Sequence, residues 1–151
     1  MSDVETVERF IPAPPEAIFA IISNPRRHHE IDGSGTVRDA KDVPDEIHLG
    51  STFGMSMKLG MPYSMVSEVV EYEPDRLIAW QTRPPSGWAA RMGGGRIWRY
   101  ELEPQDGGTL VRESWDITHE RLKVIVRPAR NRTRKAMAAT LQRIEQMVSP
   151  A

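Results

Sequence analysis

On an extended reading of Thr109 to Ile117, alternation places Val111, Glu113, Trp115 and Ile117 on one face and Arg112, Ser114 and Asp116 on the other. Glu113 is then a lone acid on an otherwise apolar face. A carboxylate so placed is costly unless it is ion-paired or hydrogen-bonded. Two readings stay open. Glu113 either orients a ligand hydroxyl or serves as a base, with Tyr63 and Tyr100 as further candidate catalytic groups. Otherwise it is held in a salt bridge to an arginine at the sheet edge or under a helix.

A second group of reactive side chains is Arg26-Arg27-His28-His29-Glu30-Ile31-Asp32-Gly33. Two histidines beside two acids are metal-ligand and proton-transfer chemistry. Adjacent histidines on a helix point about 100° apart, however, and neither has the partner four residues on that helical zinc sites use. The pattern argues for a surface turn, or for one histidine lining a pocket mouth, and no metal is expected. His48 and His119 fall near loop ends and carry no special expectation.

The larger constellation is apolar. Phe53, Met55, Met57, Tyr63, Met65, Trp80, Trp98, Tyr100 and Trp115 sit on strand-like runs, and Met137 and Leu141 on a helical one. Thioethers are flexible and polarizable, so the chain's eight methionines suit a pocket for irregular apolar ligands. A plain packed core is the alternative for any one of them. Arg83 to Gly95 is longer than a hairpin needs and ends in three glycines. Its Trp88 and Met92 read as a gate that closes over an apolar ligand.

Arg121, Lys123, Arg127, Arg130, Arg132, Arg134 and Lys135 make a basic stretch with no acid within it. Such a stretch suits RNA or an anionic membrane surface, or is a solvated helix face balanced by acids elsewhere. The formal net charge of −1 favours the balanced reading and argues against nucleic acid as a partner. Contact with a membrane surface would be transient. No nucleophile elbow, dinucleotide fingerprint or phosphate-binding loop occurs in the sequence, and no cofactor is called for. With no cysteine, thiolate chemistry and disulfides are excluded, which fits a reducing, cytoplasmic setting. Acids at Asp3 and Glu5 are unlike a secretory leader.

The elements that must position these groups follow from periodicity. Residues 1–151 read as one domain, with 39% hydrophobic and 27% charged residues in the globular range. Val4 to Ile11 reads as a first strand stopped by Pro12-Ala13-Pro14-Pro15, and a short helix over Glu16 to Ile22 and a second short turn over Arg26 to Ile31 follow. Six more strands are expected, at Thr36 to Ala40, Ser51 to Leu59, Tyr63 to Tyr72, Arg76 to Thr82, Arg96 to Glu103 and Thr109 to Ile117. In the sixth of the seven, Trp98, Tyr100 and Leu102 face inward, while Arg99, Glu101 and Glu103 face water. Glu120 to Val148 is an amphipathic helix that Pro128 must kink or restart, with the firmer part beginning near Ala129. A seven-stranded curved antiparallel sheet can bury one face only under that helix, and the curl leaves a cavity between the two.

Three stretches carry a resemblance to a known family. They are Phe10-Ile11-Pro12-Ala13-Pro14-Pro15-Glu16-Ala17-Ile18-Phe19, Val69-Val70-Glu71-Tyr72-Glu73-Pro74-Asp75-Arg76-Leu77, and Trp98-Arg99-Tyr100-Glu101-Leu102-Glu103-Pro104 with Gly107-Gly108-Thr109. Their order resembles the START-like, Bet-v-type helix-grip superfamily (SRPBCC), within it the polyketide cyclase/dehydrase and lipid-transport group, over nearly the whole chain. The resemblance implies an α+β helix-grip fold with a hydrophobic-ligand pocket under the C-terminal helix. The group holds carriers, sensors and cyclases, so fold alone does not choose the function. The cyclases place a polar set deep in the pocket that has no residue-by-residue counterpart here. The leading reading is therefore a noncatalytic binder or carrier of a small hydrophobic molecule, such as a lipid, an isoprenoid or a polyketide-like compound. Its rivals are a cyclase or dehydratase using Glu113, Tyr63, Tyr100 or a histidine, and an interaction module using the basic helix.

Overall fold

The fold is taken from a computed structural model that describes residues 2–87, 91 and 93–149. The chain opens with β1 (Val4–Ile11), then α1 (Pro15–Ile22), a 3-10 turn over Pro25–Arg27 and α2 (His28–Ile31). Proline at the start of α1 pre-sets the backbone without loss of a helical hydrogen bond. The Asn24 side chain caps the 3-10 turn by accepting from the Arg26 amide at 3.1 Å.

Six strands follow, namely β2 (Val37–Lys41), β3 (Thr52–Leu59), β4 (Met61–Glu73), β5 (Leu77–Arg83), β6 (Arg96–Gln105) and β7 (Gly108–Asp116). With β1 they form a seven-stranded antiparallel sheet in the order β1-β7-β6-β5-β4-β3-β2. β2 to β7 run as a meander, and β1 closes against β7, so the chain's first strand lies beside its last. The β3–β4 turn is tighter than Gly60-Met61-Pro62, because Leu59 pairs with Met61 around Gly60, whose φ is 74°. Pro62 therefore lies within β4, opposite Lys58. It is tolerated because β5 pairs with β4 only from Val66 onward, so this stretch has a strand neighbour on one side alone. A register shift between Val69 and Glu71 adds a bulge that bends β4.

Pro128 breaks the terminal helical run as its chemistry requires. α3 (Lys123–Val126) gives way to a 3-10 turn over Arg127–Ala129, and α4 (Arg130–Val148) starts anew beyond it. α4 lies across the inner face of β1 and β7. In antiparallel pairing, directly opposed residues share a face, so Glu5, Val7 and Arg9 of β1 stand with Trp115, Glu113 and Val111 of β7. Arg9 reaches Glu145 at 3.0 Å, and Glu5 takes Arg130 at 3.1 Å and Arg134 at 3.4 Å.

The main core lies where α1 and the second half of α4 meet the sheet, with Ile11, Ile18, Ile22, Ile78, Val111, Leu141 and Ile144 fully buried. Each aliphatic side chain so placed stabilises the fold by about 1.5–3 kcal/mol. The outer face is drier than alternation alone implies. Ile97 is buried under the chain around His119, whose carbonyl accepts from the Gly95 amide, and Arg99 is fixed between Glu71 at 2.6 Å and Asp116 at 3.4 Å.

Candidate functional site

Register places the inner-face side chains in rows across the sheet. Trp80, Trp98 and Trp115 are opposed in succession on β5, β6 and β7. The adjacent row is Ile78, Tyr100 and Glu113. Toward the other edge, Met55 opposes Met65, and Met57 opposes Tyr63. Between these side chains and the start of α4 lies a cavity of about 670 Å³, lined also by His28, Phe53, Arg96, Arg132, Lys135, Met137 and Thr140. Ligand-binding cavities span roughly 300–1,000 Å³, so this one has room for a small organic molecule.

Phe53, Met55, Met57, Met65, Trp80, Trp98, Tyr100, Trp115 and Met137 thus border the cavity, and Tyr63 stands at its exposed edge. Leu141 does not line it. One turn beyond Met137 on the same helix face, it packs in the core cluster with Ile144 and with Ile18 and Ile22 of α1, which cover that part of the sheet. Tyr63 is on β4, three strands from β7, so it does not join Glu113 in a catalytic group. Trp88 and Met92 lie outside the described residues.

Glu113 is 3% exposed, and no ion pair reaches it among the described residues. The salt-bridge reading fails because the arginines around Glu113 are engaged elsewhere: Arg9, on the same face of β1, pairs with Glu145, and Arg99 and Arg112 face the other way. Arg112 pairs with Glu8 and Glu103, and Arg99 with Glu71 and Asp116. Burial pushes the Glu113 carboxyl up from 4.5 to about 8; hydrogen bonding with Tyr100 opposes the shift, and the nearby charge of Asp32 adds to it. At neutral pH it is an uncharged carboxylic acid, able to donate. Its Oε1 atom is buried and has no hydrogen-bond partner. Tyr100 is equally enclosed, and burial first, then Glu113, holds its phenol well above the usual range, so it too keeps its proton.

His28 was not singled out from its neighbour by sequence. The structure separates them, since His28 is buried in the cavity wall and His29 is exposed. The His28 ring stacks on Trp80 at 4.9 Å and meets Phe53 edge-on at 5.8 Å. Its Nε2 lies 2.8 Å from the Ile22 carbonyl, which assigns the proton to that nitrogen. Burial lowers its pKa to about 4, against the opposing effects of the Ile22 carbonyl and Asp32, so the ring is neutral.

Gly33 is a second unanticipated residue, where the loop after α2 meets α4. A Cβ there would stand 2.1 Å from the Ala136 carbonyl oxygen and 2.8 Å from the Ala139 Cβ, so only glycine permits this approach. The Gly33 amide donates to the Thr140 hydroxyl at 2.9 Å, and Arg143 donates to the Asp32 carbonyl. The only sequence signal was the helical spacing of Ala136, Met137 and Thr140, which puts all three on one face.

The basic stretch is largely committed within the chain. Lys123 and Arg127 bind Asp3 at 3.0 and 3.2 Å, and Arg130 and Arg134 share Glu5. Among the described residues Arg121, Arg132 and Lys135 make no ion pair, and the last two border the cavity. No described helix is long and apolar enough to cross a membrane.

Comparison with known proteins agrees with this architecture. An uncharacterized protein of Mycobacterium tuberculosis, Rv0088, is 42% identical over 108 residues, which cover 70% of this chain and 44% of that protein. The chain therefore matches less than half the length of that relative. Protein CV1439 from Chromobacterium violaceum superposes with a TM-score of 0.75 at 16% identity, over 100% of both chains. A protein from Arthrobacter aurescens gives 0.74 at 17% identity, over 99% of this chain and 88% of its own. At such identities these two structures establish the fold alone. The model of the polyketide cyclase / dehydrase and lipid transport family matches residues 4–148, and with the helix-grip architecture seen here the chain belongs to that family.

Proposed function

We propose that the protein binds and carries a small hydrophobic molecule, such as a lipid, an isoprenoid or a polyketide-like compound, in the cavity between sheet and α4. The observation that carries this reading is the cavity of about 670 Å³ walled by Met55, Met57, Met65, Trp98, Trp115 and Met137. Methionine walls adapt to irregular apolar shapes, and the indoles add flat surface. Family membership fits the same role.

Native mass spectrometry of the purified protein, followed by denaturation and identification of any released molecule, tests retention of a natural ligand. Titration with farnesol and with decanoic acid, followed by fluorescence of Trp80, Trp98 and Trp115, tests the cavity directly. A saturable change at about one equivalent is expected for at least one probe. Absence of both a retained molecule and a saturable response would overturn the reading.

The adjacency of Tyr100 and Glu113 on the cavity wall favours one second reading, a dehydratase in which Tyr100 donates to the bound carbonyl while Glu113 gives its proton to the leaving hydroxyl and, as the carboxylate so formed, takes the α-proton, so that a C–O and a C–H bond break as the C=C bond forms and water leaves. Loss of one water from a β-hydroxyacyl thioester, dependent on Glu113, is its test. An unchanged thioester mass would remove it.

A further inference from the structure

Among the described residues, two side chains on the cavity wall carry a buried polar atom without a hydrogen-bond partner, Arg96 and Glu113, and of these Arg96 has an acid, Glu120, 3.5 Å away while Glu113 has no ion partner. Glu113 Oε1 is buried without a hydrogen-bond partner, on a side chain that is 3% exposed and borders the cavity. Buried polar atoms are almost always paired, and an orphan at a cavity wall marks where a bound molecule supplies the missing partner. Tyr100, directly opposite on β6, brings a second hydroxyl to the same place.

We propose that Glu113 and Tyr100 form a hydrogen-bond-donating anchor, so that the cavity selects an apolar molecule bearing an uncharged acceptor oxygen, a ketone, ester or ether, and seats that oxygen against Glu113. This inference rests on the hydrophobic-ligand reading above and adds the chemical class of the ligand.

The charged groups around Glu113 define which oxygen fits. Asp32, at the end of α2, accepts from the Ser34 hydroxyl at 2.7 Å and the Val37 amide at 3.0 Å and borders the same cavity. From β1, Glu5 and Arg9 are each paired to α4. Arg96 is 3.5 Å from Glu120, His28 is neutral, and Arg132 and Lys135 sit on the exposed part of α4. A ligand carboxylate beside Glu113 would meet the charge of Asp32, while the one partly buried cation among the described lining residues, Arg96, already faces Glu120. An uncharged oxygen meets a proton donor, because the carboxyl at pH 7 is in its acid form.

Isothermal titration calorimetry with three probes of similar size tests this: 2-acetylnaphthalene, 2-isopropylnaphthalene and 2-naphthoate. At pH 6.5 the ketone is expected to bind about tenfold more tightly than the hydrocarbon, the worth of one buried hydrogen bond. Glu113→Leu should abolish that preference while keeping hydrocarbon affinity, whereas Glu113→Gln, whose amide still donates, should keep most of it. At pH 9.5 the preference should fall in the wild type and persist in Glu113→Gln. Circular dichroism spectra confirm that each variant is folded. Equal affinities of ketone and hydrocarbon for the wild type, or a preference that survives Glu113→Leu, would overturn the anchor alone. Naphthoate binding that matches the ketone and depends on Glu113 would overturn the restriction to uncharged oxygen. Binding of neither neutral probe would overturn the hydrophobic-cavity reading and this inference with it.

Discussion

Replacing Glu113 by glutamine should reshape the pH dependence of stability. In the unfolded chain the carboxyl ionises near 4.5, whereas in the folded chain it holds its proton until about pH 8. Between those values the native state binds one more proton than the unfolded state, so stability falls with rising pH by about 1.36 kcal/mol per unit. The cost is absent below pH 4.5, reaches about 3 kcal/mol at neutrality and is complete above pH 8. His28 works in the opposite sense. Its pKa is lowered from 6.5 to about 4, so the stability it contributes is full above 6.5 and is lost as pH falls toward 4. In the wild type the two slopes cancel between about pH 4.5 and 6.5. Above that window Glu113 acts alone. Urea unfolding at pH 5, 6, 7 and 8 should show the stability of Glu113→Gln rising relative to wild type by about 1.36 kcal/mol per unit. Parallel curves for the two proteins would refute the claim that Glu113 is buried as a neutral acid.

The remaining predictions concern the walls of the cavity and the seams of the fold. His28→Phe keeps a ring against Trp80 and should leave the Glu113 slope uncancelled, so that in urea unfolding its stability rises relative to wild type by about 1.36 kcal/mol per unit as pH falls from 6.5 toward 4; a constant difference between the two proteins would refute the neutral assignment. Gly33→Ala puts a methyl into the Ala136 carbonyl and should destabilise by about 1–3 kcal/mol, seen as a lower Tm; an unchanged Tm would mean that α4 does not rest on this loop. Arg130→Ala should cost more stability in urea than Arg127→Ala, because the Arg130–Glu5 pair is mostly enclosed while Arg127 is half exposed. Equal effects would show that burial does not set the worth of these pairs.

Local rules carried much of the fold. β1 runs over the stretch expected from its β-branched residues, Pro128 restarts the helix, and alternation correctly turned Trp98, Tyr100, Glu113 and Trp115 inward. Each depends on neighbours within a few residues: a fixed proline φ, a two-residue pleat, a run of strand formers. The same rules misplaced the β3–β4 turn, because the tolerance for Pro62 depends on where a third strand, β5, stops.

The candidate site divides along the same line. Sequence spacing gathered the methionines and tryptophans of the wall, since period two and helical period settle which residues share a face. It did not separate Leu141 from Met137, because both share the helix's apolar face, and only the packing of α1 beside Leu141 puts one in the core and leaves the other at the cavity. Nor did it separate His28 from His29, whose difference arises when Trp80 and Phe53, distant in sequence, close over one ring. Glu113 makes the division clearest. The pleat sent it inward, but its lack of a cation was decided only when Arg99 and Arg112 found their acids across the outer face and Arg130 and Arg134 found Glu5. Which way a side chain points is a property of its own backbone, whereas what it meets there depends on segments of the chain a hundred residues away.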